Sequence, residues 1–148
     1  MSRAIQVPFE VTLLVRDTCL CLHLQRAARA LARRFDEALR PIGLTSGQYS
    51  MLMSLNRPEP PSIGSVAALL SMDRTTLTAA LKPLKRRGLV AVTVDAADRR
   101  SRRLKLTPSG RALLARAVPV WRRTHAEIER LLPSSGADRL RRALGALT

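Results

Sequence analysis

The fold can be inferred from residues 62–88, which read SIGSVAALLSMDRTTLTAALKPLKRRG. Ser62 and Asp73 are of the residue types that cap helix N-termini, and Gly88 is of the type that commonly ends a helix. The apolar side chains between them recur every three or four positions, which is typical of amphipathic helices. Only residues 71–72 separate the two helices, so the segment predicts a helix-turn-helix.

A two-stranded hairpin is predicted directly after this segment. Valines at positions 90, 92 and 94 alternate with other residues, and leucines at 104 and 106 do the same, which is strand periodicity. The polar tip, residues 96–101, is densely charged and is expected to project into solvent or onto a partner. A helix-turn-helix followed by a two-stranded wing is a winged helix, so the predicted fold class is mainly α, of the α+β winged-helix type.

Amphipathic helices are predicted on both sides of this unit. The first begins at Thr18 and ends at Pro41, and Thr45 with Gln48 three residues later is a capping-box signature that begins a second helix. Near the C-terminus, Thr107 is a candidate cap for a long helix that starts at Pro108 and that Pro119 should kink, and a last helix follows residues 133–136. The single domain therefore divides into an N-terminal arm (1–17), dimerisation helices (18–44 and 109–148) and a winged helix-turn-helix region (45–108). A two-fold homodimer would cover the apolar stripes of the flanking helices.

The charge of the chain favours a nucleic-acid partner. Its 148 residues include 26 Lys or Arg against 11 Asp or Glu, a formal net charge of +15 at pH 7. The 39 residues from Asp73 to Arg111 hold 11 of these cations and 3 acids, so over half of the net charge lies in this part. Most of the cations are arginine, which stays ionised and binds phosphate through two parallel hydrogen bonds. We therefore expect a nucleic acid as the partner, double-stranded DNA in view of the predicted helix-turn-helix, and no membrane.

Other features argue against several classes of protein. The N-terminus lacks the pattern of a secretory signal, and no stretch reaches the roughly 18–20 apolar residues of a membrane span. Cys19 and Cys21 are too few and too close for a disulfide framework, which favours the cytoplasm. On a helix Cys19 and His23 share a face from which Cys21 points away, so no metal site is expected. The sequence has neither a phosphate-cradling glycine loop nor the spacing of a catalytic triad, so we expect neither an enzyme nor a cofactor.

The fourth predicted helix has a surface suited to a DNA groove. At about 100° per residue its leucines share one face. The opposite face combines small hydroxyl, small apolar and cationic residues: Thr75, Ala79, Lys82 and Arg86. Such a face can enter a major groove, because it carries neither acidic repulsion nor bulk. The wing carries arginines at 99, 100, 102 and 103, and arginine is preferred in the strongly negative minor groove.

Five short motifs occur along the chain in a fixed order. They are TSGQY (45–49), DRTTLT (73–78) running to KRRGLV (85–90), DRRS (98–101) and LKLTPSG (104–110). Together they resemble the MarR family of bacterial transcription regulators, over roughly residues 18–147. The resemblance implies an obligate homodimer, recognition helices in successive major grooves, wing arginines in the flanking minor grooves, and repression relieved by a phenolic ligand, an oxidant or a metal. By position it implies DNA contacts from Arg74, Thr75, Thr76, Thr78, Lys82, Asp98 and Arg100.

The charge pattern adds two cations to this expected interface. Arg86 lies on the outward helix face, and Arg102 directly follows the wing tip. Asp98, two residues before Arg100, either holds the guanidinium of that arginine or only relieves charge repulsion. We therefore predict a sequence-specific regulator of transcription, a repressor, that acts as a homodimer on a pseudo-palindromic operator.

An organic effector is a further expectation. Phe35, Tyr49, Met53 and Trp121 are the candidate contacts of a small aromatic or phenolic molecule, held between the first, second and fifth predicted helices. The same four residues also fit a plain hydrophobic core.

A thiol-based oxidant sensor is one alternative. Cys21 corresponds by position to the peroxidatic cysteine in the hydroperoxide-sensing branch of the MarR family, and amides at a helix start favour a thiolate. The tyrosines that bind the thiolate in that branch correspond here to Gln25, Phe35 and Ser46. Cys19 and Cys21 also fit small packing residues.

A basic protein that binds nucleic acid without sequence preference is the other alternative, since charge alone does not distinguish the two. The footprint does distinguish them. A sequence-specific dimer protects a pseudo-palindrome whose half-sites lie about 34 Å apart.

Overall fold

Helices dominate the structure. The computed structural model describes residues 6–148, and in this range it has seven α-helices and one antiparallel hairpin. The helices are α1 (Phe9–Thr18), α2 (Leu20–Leu39), α3 (Ser46–Ser54), α4 (Ile63–Leu69), α5 (Arg74–Arg86), α6 (Pro108–Glu129) and α7 (Gly136–Gly145), and the strands are β1 (Val90–Val94) and β2 (Arg102–Leu106). A short 3-10 helix, Arg40–Ile42, lies between α2 and α3. Helices α4 and α5 with the hairpin form a winged helix-turn-helix, so the predicted fold class is confirmed.

Side-chain caps begin four helices at the predicted residues. Thr45 and Gln48 form a reciprocal capping box, in which the side chain of each residue accepts a hydrogen bond from the backbone amide of the other at 3.2 Å. The side chains of Ser62, Asp73 and Thr107 each accept the backbone amide three residues on, at 3.1, 2.7 and 3.0 Å. Each cap pairs an N–H group that the first helical turn leaves without a partner.

The core is mostly aliphatic, because only 3% of the residues of the chain are Phe, Trp or Tyr. Its fully buried side chains include Leu39, Leu52, Leu77, Leu84 and Leu104. They come from α2, α3, α5 and β2, so one core connects the flanking helices to the helix-turn-helix and the wing. This shared core fixes the position of α5 relative to α2.

The wing is anchored at its base. Strands β1 and β2 pair antiparallel, with Val90 opposite Leu106. The Leu104 amide also donates to the carbonyl oxygen of Pro61, just ahead of α4, at 2.9 Å. The base of the wing is therefore tied to the start of the helix-turn-helix, while the tip extends beyond the sheet.

A close contact joins the end of α5, the wing and the start of α6. Gly88 has a left-handed φ of 68°, and its carbonyl oxygen accepts a hydrogen bond from the Thr107 hydroxyl at 2.6 Å. The two backbones approach so closely that a Cβ on Gly110 would lie 2.1 Å from the Leu89 carbonyl oxygen. Position 110 therefore has no room for a side chain.

The N-terminal segment differs from the prediction. We predict an N-terminal arm over residues 1–17 that becomes ordered only if something packs on it, whereas the structure has α1 from Phe9; residues 1–5 lie outside the described part. The apolar residues Val11, Leu14 and Val15 follow helical spacing, but the segment is short and none of its side chains is buried. The backbone of Cys19 is extended, with ψ at 108°, and separates α1 from α2.

The two helical prolines do not interrupt their helices. Helix α5 continues through Pro83 to Arg86, and α6 continues through Pro119 to Glu129. The kink predicted at Pro119 therefore does not divide α6 into separate helices.

Candidate DNA interface

Helix α5 has the two faces that its sequence pattern predicts. Leu77, Leu81 and Leu84 are buried against the core. Residues on the other side are all exposed: Thr75, Ala79, Lys82 and Arg86. Asp73 at the N-cap is the acid next to this face, and its carboxylate accepts from both the hydroxyl and the amide of Thr76, which lowers its pKa. The outward face of α5 is therefore positive and open to a partner.

The three threonines of α5 differ in what their hydroxyl groups do. The Thr76 hydroxyl donates to the Asp73 carboxylate at 2.6 Å, and the Thr78 hydroxyl donates to the Arg74 carbonyl oxygen at 2.7 Å. Within residues 6–148 the Thr75 hydroxyl has no hydrogen-bond partner. Of the three, Thr75 is thus the one whose proton is available to a base or a phosphate.

The arginines of the wing also differ. Arg103 is half-buried and pairs with the Asp95 carboxylate at 2.6 Å, while an Arg102 Nη1 donates to the Arg99 carbonyl oxygen at 2.9 Å. The Ala97 amide and Arg103 together lower the pKa of Asp95. The Arg100 guanidinium forms no ion pair with any carboxylate in the described chain. We did not single out Asp95 in the sequence. An acidic residue just before the wing tip and arginines just after it are nevertheless a pattern that predicts an ion pair across the hairpin.

Asp98 makes a contact that neither of its two predicted roles includes. Its carboxylate accepts a hydrogen bond from the backbone amide of Arg100 at 3.0 Å, not from the Arg100 guanidinium. The Ser101 amide in turn donates to the Asp98 carbonyl oxygen at 2.9 Å. An aspartate that binds the amide two residues on makes a local turn. Asp98 therefore shapes the backbone of the tip and leaves the Arg100 side chain free.

Helix α5 and the wing meet around one opening, which we call the wing cleft. It has a volume of about 300 Å³. Its walls come from the start of α4, one flank of α5 and the wing tip, and include Ser62, Gly64, Arg74, Thr78, Arg100 and Arg102. A single duplex lying on this surface would touch both α5 and the wing. Gly64 carried no signal in the sequence, because its contact with Arg74 is made only in the folded chain.

A second opening carries the aromatic side chains. Tyr49 and Trp121 are stacked with ring centroids 6.3 Å apart, and Trp121 stacks on His125 at 4.8 Å. Tyr49 and Trp121 border a largely apolar cavity of about 350 Å³ that Met53 and Leu70 also line. Burial raises the pKa of Tyr49, which keeps its hydroxyl protonated. We call this opening the aromatic cavity.

Phe35 is not part of the aromatic cavity, so of the two alternatives for this residue the structure agrees with the hydrophobic core and not with the effector contact. It packs against the buried core instead, half-exposed on α2. The wall that we assigned to α2 is formed by the end of α4, through Leu69 and Leu70. The physical reason is that the short turn after α4 brings these leucines across α3, whereas the inner face of α2 is already covered by core side chains.

The cysteines lie where α1 meets α2. Cys21 is exposed in the first turn of α2, and the Gln25 side-chain amide donates to its sulfur at 3.3 Å. Cys19 is partly buried at the N-cap, and its carbonyl oxygen, not its thiol, makes the local hydrogen bonds. Oxidant sensing through Cys21 stays a prediction.

Two absences apply to the described residues, 6–148. No group of three or more His, Cys, Asp or Glu side chains there is placed to hold a metal ion. No helix in that range is long and apolar enough to cross a membrane.

The fold and this surface define a class of protein. The second helix of a helix-turn-helix carries an outward basic face, and an arginine-rich wing lies directly beside it. This is the arrangement with which winged-helix proteins hold duplex DNA, one element in each groove. The chain is therefore a winged-helix DNA-binding protein.

Known proteins narrow this class to one family. The MarR family model matches residues 42–101. The transcriptional regulator MosR of M. tuberculosis, solved in complex with DNA, is 40% identical with a TM-score of 0.80, over 88% of this chain and 93% of MosR. The repressor CouR of Rhodococcus jostii, bound to a 23-mer duplex, is 31% identical with a TM-score of 0.80, over 90% and 94%. This chain belongs to the MarR family of transcription regulators and binds DNA.

A further relative is the transcriptional activatory protein BadR of Rhodopseudomonas palustris. It is 37% identical over 95 residues, which is 62% of this chain and 54% of BadR. The match therefore spans about half the length of that relative. CouR is a transcriptional repressor and BadR is a transcriptional activator, although both are similar to this chain.

Proposed function

We propose that the protein is a sequence-specific repressor that acts as a homodimer on a pseudo-palindromic operator and is released by a small organic effector. One observation carries the proposal: one flank of α5, through Arg74 and Thr78, and the wing, through Arg100 and Arg102, border a common cleft beside the outward face of α5. One duplex can then place its major groove on α5 and its next minor groove on the wing. Repression is favoured over activation because it requires only occupancy of the operator.

Exposed apolar side chains at both ends of the chain support the homodimer. Phe9 and Leu14 of α1 are 68% and 60% exposed, and Leu140 and Leu147 near the C-terminus are 43% and 61% exposed. Neither α1 nor α7 buries a single side chain. A second copy of the chain presents the same surface and can cover it by two-fold symmetry. Two copies also supply two α5 helices, one for each half-site about 34 Å apart.

Selection of bound duplexes from a random pool tests the proposal. We expect a pseudo-palindrome, a footprint over two half-sites, a dimer by sedimentation equilibrium, and less transcript in vitro from a promoter that contains the site. Equal affinity for every duplex at physiological salt would favour non-specific binding, and a monomeric complex would contradict the dimer.

Thr75→Val is expected to weaken binding to the selected duplex by about 1–3 kcal/mol, with little change on an unrelated duplex. Valine keeps the branched shape of threonine and removes the one hydroxyl on this helix that has no partner in the described chain. Fluorescence anisotropy on both duplexes measures the difference. Thr78→Val is the matched control, because that hydroxyl already donates to the Arg74 carbonyl oxygen. Equal losses for the two variants would contradict this role for Thr75.

The aromatic cavity is the proposed effector site. It lies between α3, α4 and α6, so a molecule bound there contacts both the helix-turn-helix and a flanking helix. CouR, a relative of this chain, has been solved with p-coumaroyl-CoA, which contains an aromatic ring. Stacking on Trp121 and contact with Met53 suit a flat aromatic molecule.

Aromatic carboxylic acids such as benzoate and hydroxybenzoates are expected to change the emission of Trp121 and to lower the affinity for the selected duplex. Trp121 is the only tryptophan of the chain, so the signal reports on this cavity alone. Met53→Arg is a suitable control, since Met53 is 39% exposed at the cavity and a long charged side chain there would block entry without entering the core. A flat response across the set would count against the site.

A further inference from the structure

Arg74 does not lie on the face of α5 that is directed outward. At about 100° per residue it is roughly 60° from the buried Leu77 and over 100° from the pole marked by Arg86. When Thr75 and Lys82 face the floor of a major groove, Arg74 is therefore directed toward the rim of the groove. The rim is formed by the sugar-phosphate backbone, not by base edges.

The position of the Arg74 guanidinium depends on a glycine in the neighbouring helix. A Cβ built on Gly64 would lie 2.9 Å from an Arg74 Nη2 and 3.5 Å from its Cζ. The guanidinium thus lies over the backbone of α4, in space that any other residue at position 64 would occupy. Because the obstructing atoms are the end of a flexible side chain, a larger residue there would displace Arg74 without unfolding α4.

The wing cleft is positive and contains an available donor. Its eight lining residues, all in the described part of the chain, include three arginines and no acid. Arg74 forms no ion pair with a carboxylate of residues 6–148. The Ser62 hydroxyl accepts from the Ser65 amide at 3.1 Å and keeps its own proton for donation. Three like charges around one opening repel one another, and a bound anion would relieve that repulsion.

We propose that the wing cleft is the seat of one backbone phosphate of the bound duplex, held by Arg74 and kept open by the absence of a side chain on Gly64. The phosphate is the one that separates the major groove on α5 from the minor groove on the wing. Arg74 is then a positioning residue that sets the register of the duplex, while Arg100 and Arg102 supply positive potential. The inference rests on the proposed function, since it requires a duplex on α5 and the wing.

The salt dependence of binding tests this role. Arg74→Ala and Gly64→Ala are both expected to weaken binding about tenfold, by the same factor on the selected and on an unrelated duplex. Each should lower the slope of log affinity against log salt by about 0.9 per phosphate, or ~1.8 for a dimer. Gly47→Ala is the matched control, because a Cβ there has no described atom within 4 Å beyond its immediate neighbours. The double variant of positions 64 and 74 should bind no more weakly than Arg74→Ala alone.

Single methylphosphonate linkages, which are uncharged, identify the phosphate. One linkage in each half-site should weaken the wild-type protein and leave Arg74→Ala unaffected. If the wild-type protein binds the selected duplex but no linkage behaves in this way, or if Gly64→Ala keeps the full salt slope, the phosphate seat is wrong and the proposed function stands. If the wild-type protein prefers no sequence, the proposed function itself fails.

Discussion

Gly110→Ala is expected to lower the free energy of unfolding by about 3 kcal/mol or more, even though alanine is the better helix former. The added Cβ would lie 2.1 Å from the carbonyl oxygen of Leu89 and 3.0 Å from its carbonyl carbon. Both atoms belong to the backbone, so no side-chain rotation relieves the clash. The start of α6 would have to move away from Leu89, which would disturb the 3.1 Å hydrogen bond from the Thr107 amide to the same carbonyl oxygen.

Urea unfolding at a fixed protein concentration measures this loss, since the stability of a dimer depends on concentration. Gly47→Ala is the control: it makes the same substitution in a first helical turn with open space around the new Cβ. We expect that control to be within about 1 kcal/mol of the wild-type protein, on the stabilising side. If the two variants unfold at the same urea concentration, the contact between Leu89 and Gly110 is not a close one.

The contrast between these two glycines shows which features the sequence predicts. Helix starts were predictable because a cap and its partner lie three residues apart, as in Thr45 with Gln48 or Asp73 with Thr76. The division of α5 into a buried and an outward face follows from helical periodicity in the same local way. Nothing near Gly110 in the sequence indicates that its neighbour in space is Leu89, because that contact depends on how the chain turns through the wing.

The candidate interface shows the same limit. The sequence identified the basic face of α5 and the arginines of the wing by residue type and order. Residue type alone gave no physical reason to leave out Arg103, which pairs with Asp95, and to keep Arg100, which has no such partner in the described chain. It also left open whether Asp98 binds the Arg100 guanidinium and whether Phe35 lines the effector cavity, and the structure has neither contact. Each of these depends on the direction of a side chain, which periodicity does not determine in a turn or at the edge of a core.

Helix α1 was missed for a different reason. Its apolar residues have helical spacing, but the segment is only ten residues long and follows Pro8. A helix of that length is marginal by itself in water. Because none of its side chains is buried, the proposed dimer contact is the interaction that would stabilise it.

Arg100→Ala is expected to weaken binding of the selected duplex by about 1–3 kcal/mol and to relax the preference at the outer edges of the site. The Arg100 side chain is exposed, and the Asp98 carboxylate next to it is occupied by a backbone amide at 3.0 Å. Its charge is therefore available to a partner. A narrow minor groove, typical of A·T-rich sequence, concentrates negative potential and attracts a guanidinium, so the loss should be largest on duplexes with A·T-rich flanks.

Lys105→Ala is the control for this variant. The substitution removes the same formal charge as Arg100→Ala. Lys105 is exposed, but it lies on strand β2 and not at the wing tip. We expect a smaller loss that is equal on all duplexes, because a lysine near the backbone contacts phosphate and not base edges. Anisotropy titrations of both variants, on the selected duplex and on one with G·C-rich flanks, separate the two effects. If both variants lose the same affinity on both duplexes, the wing contributes only charge, and sequence is read by α5 alone.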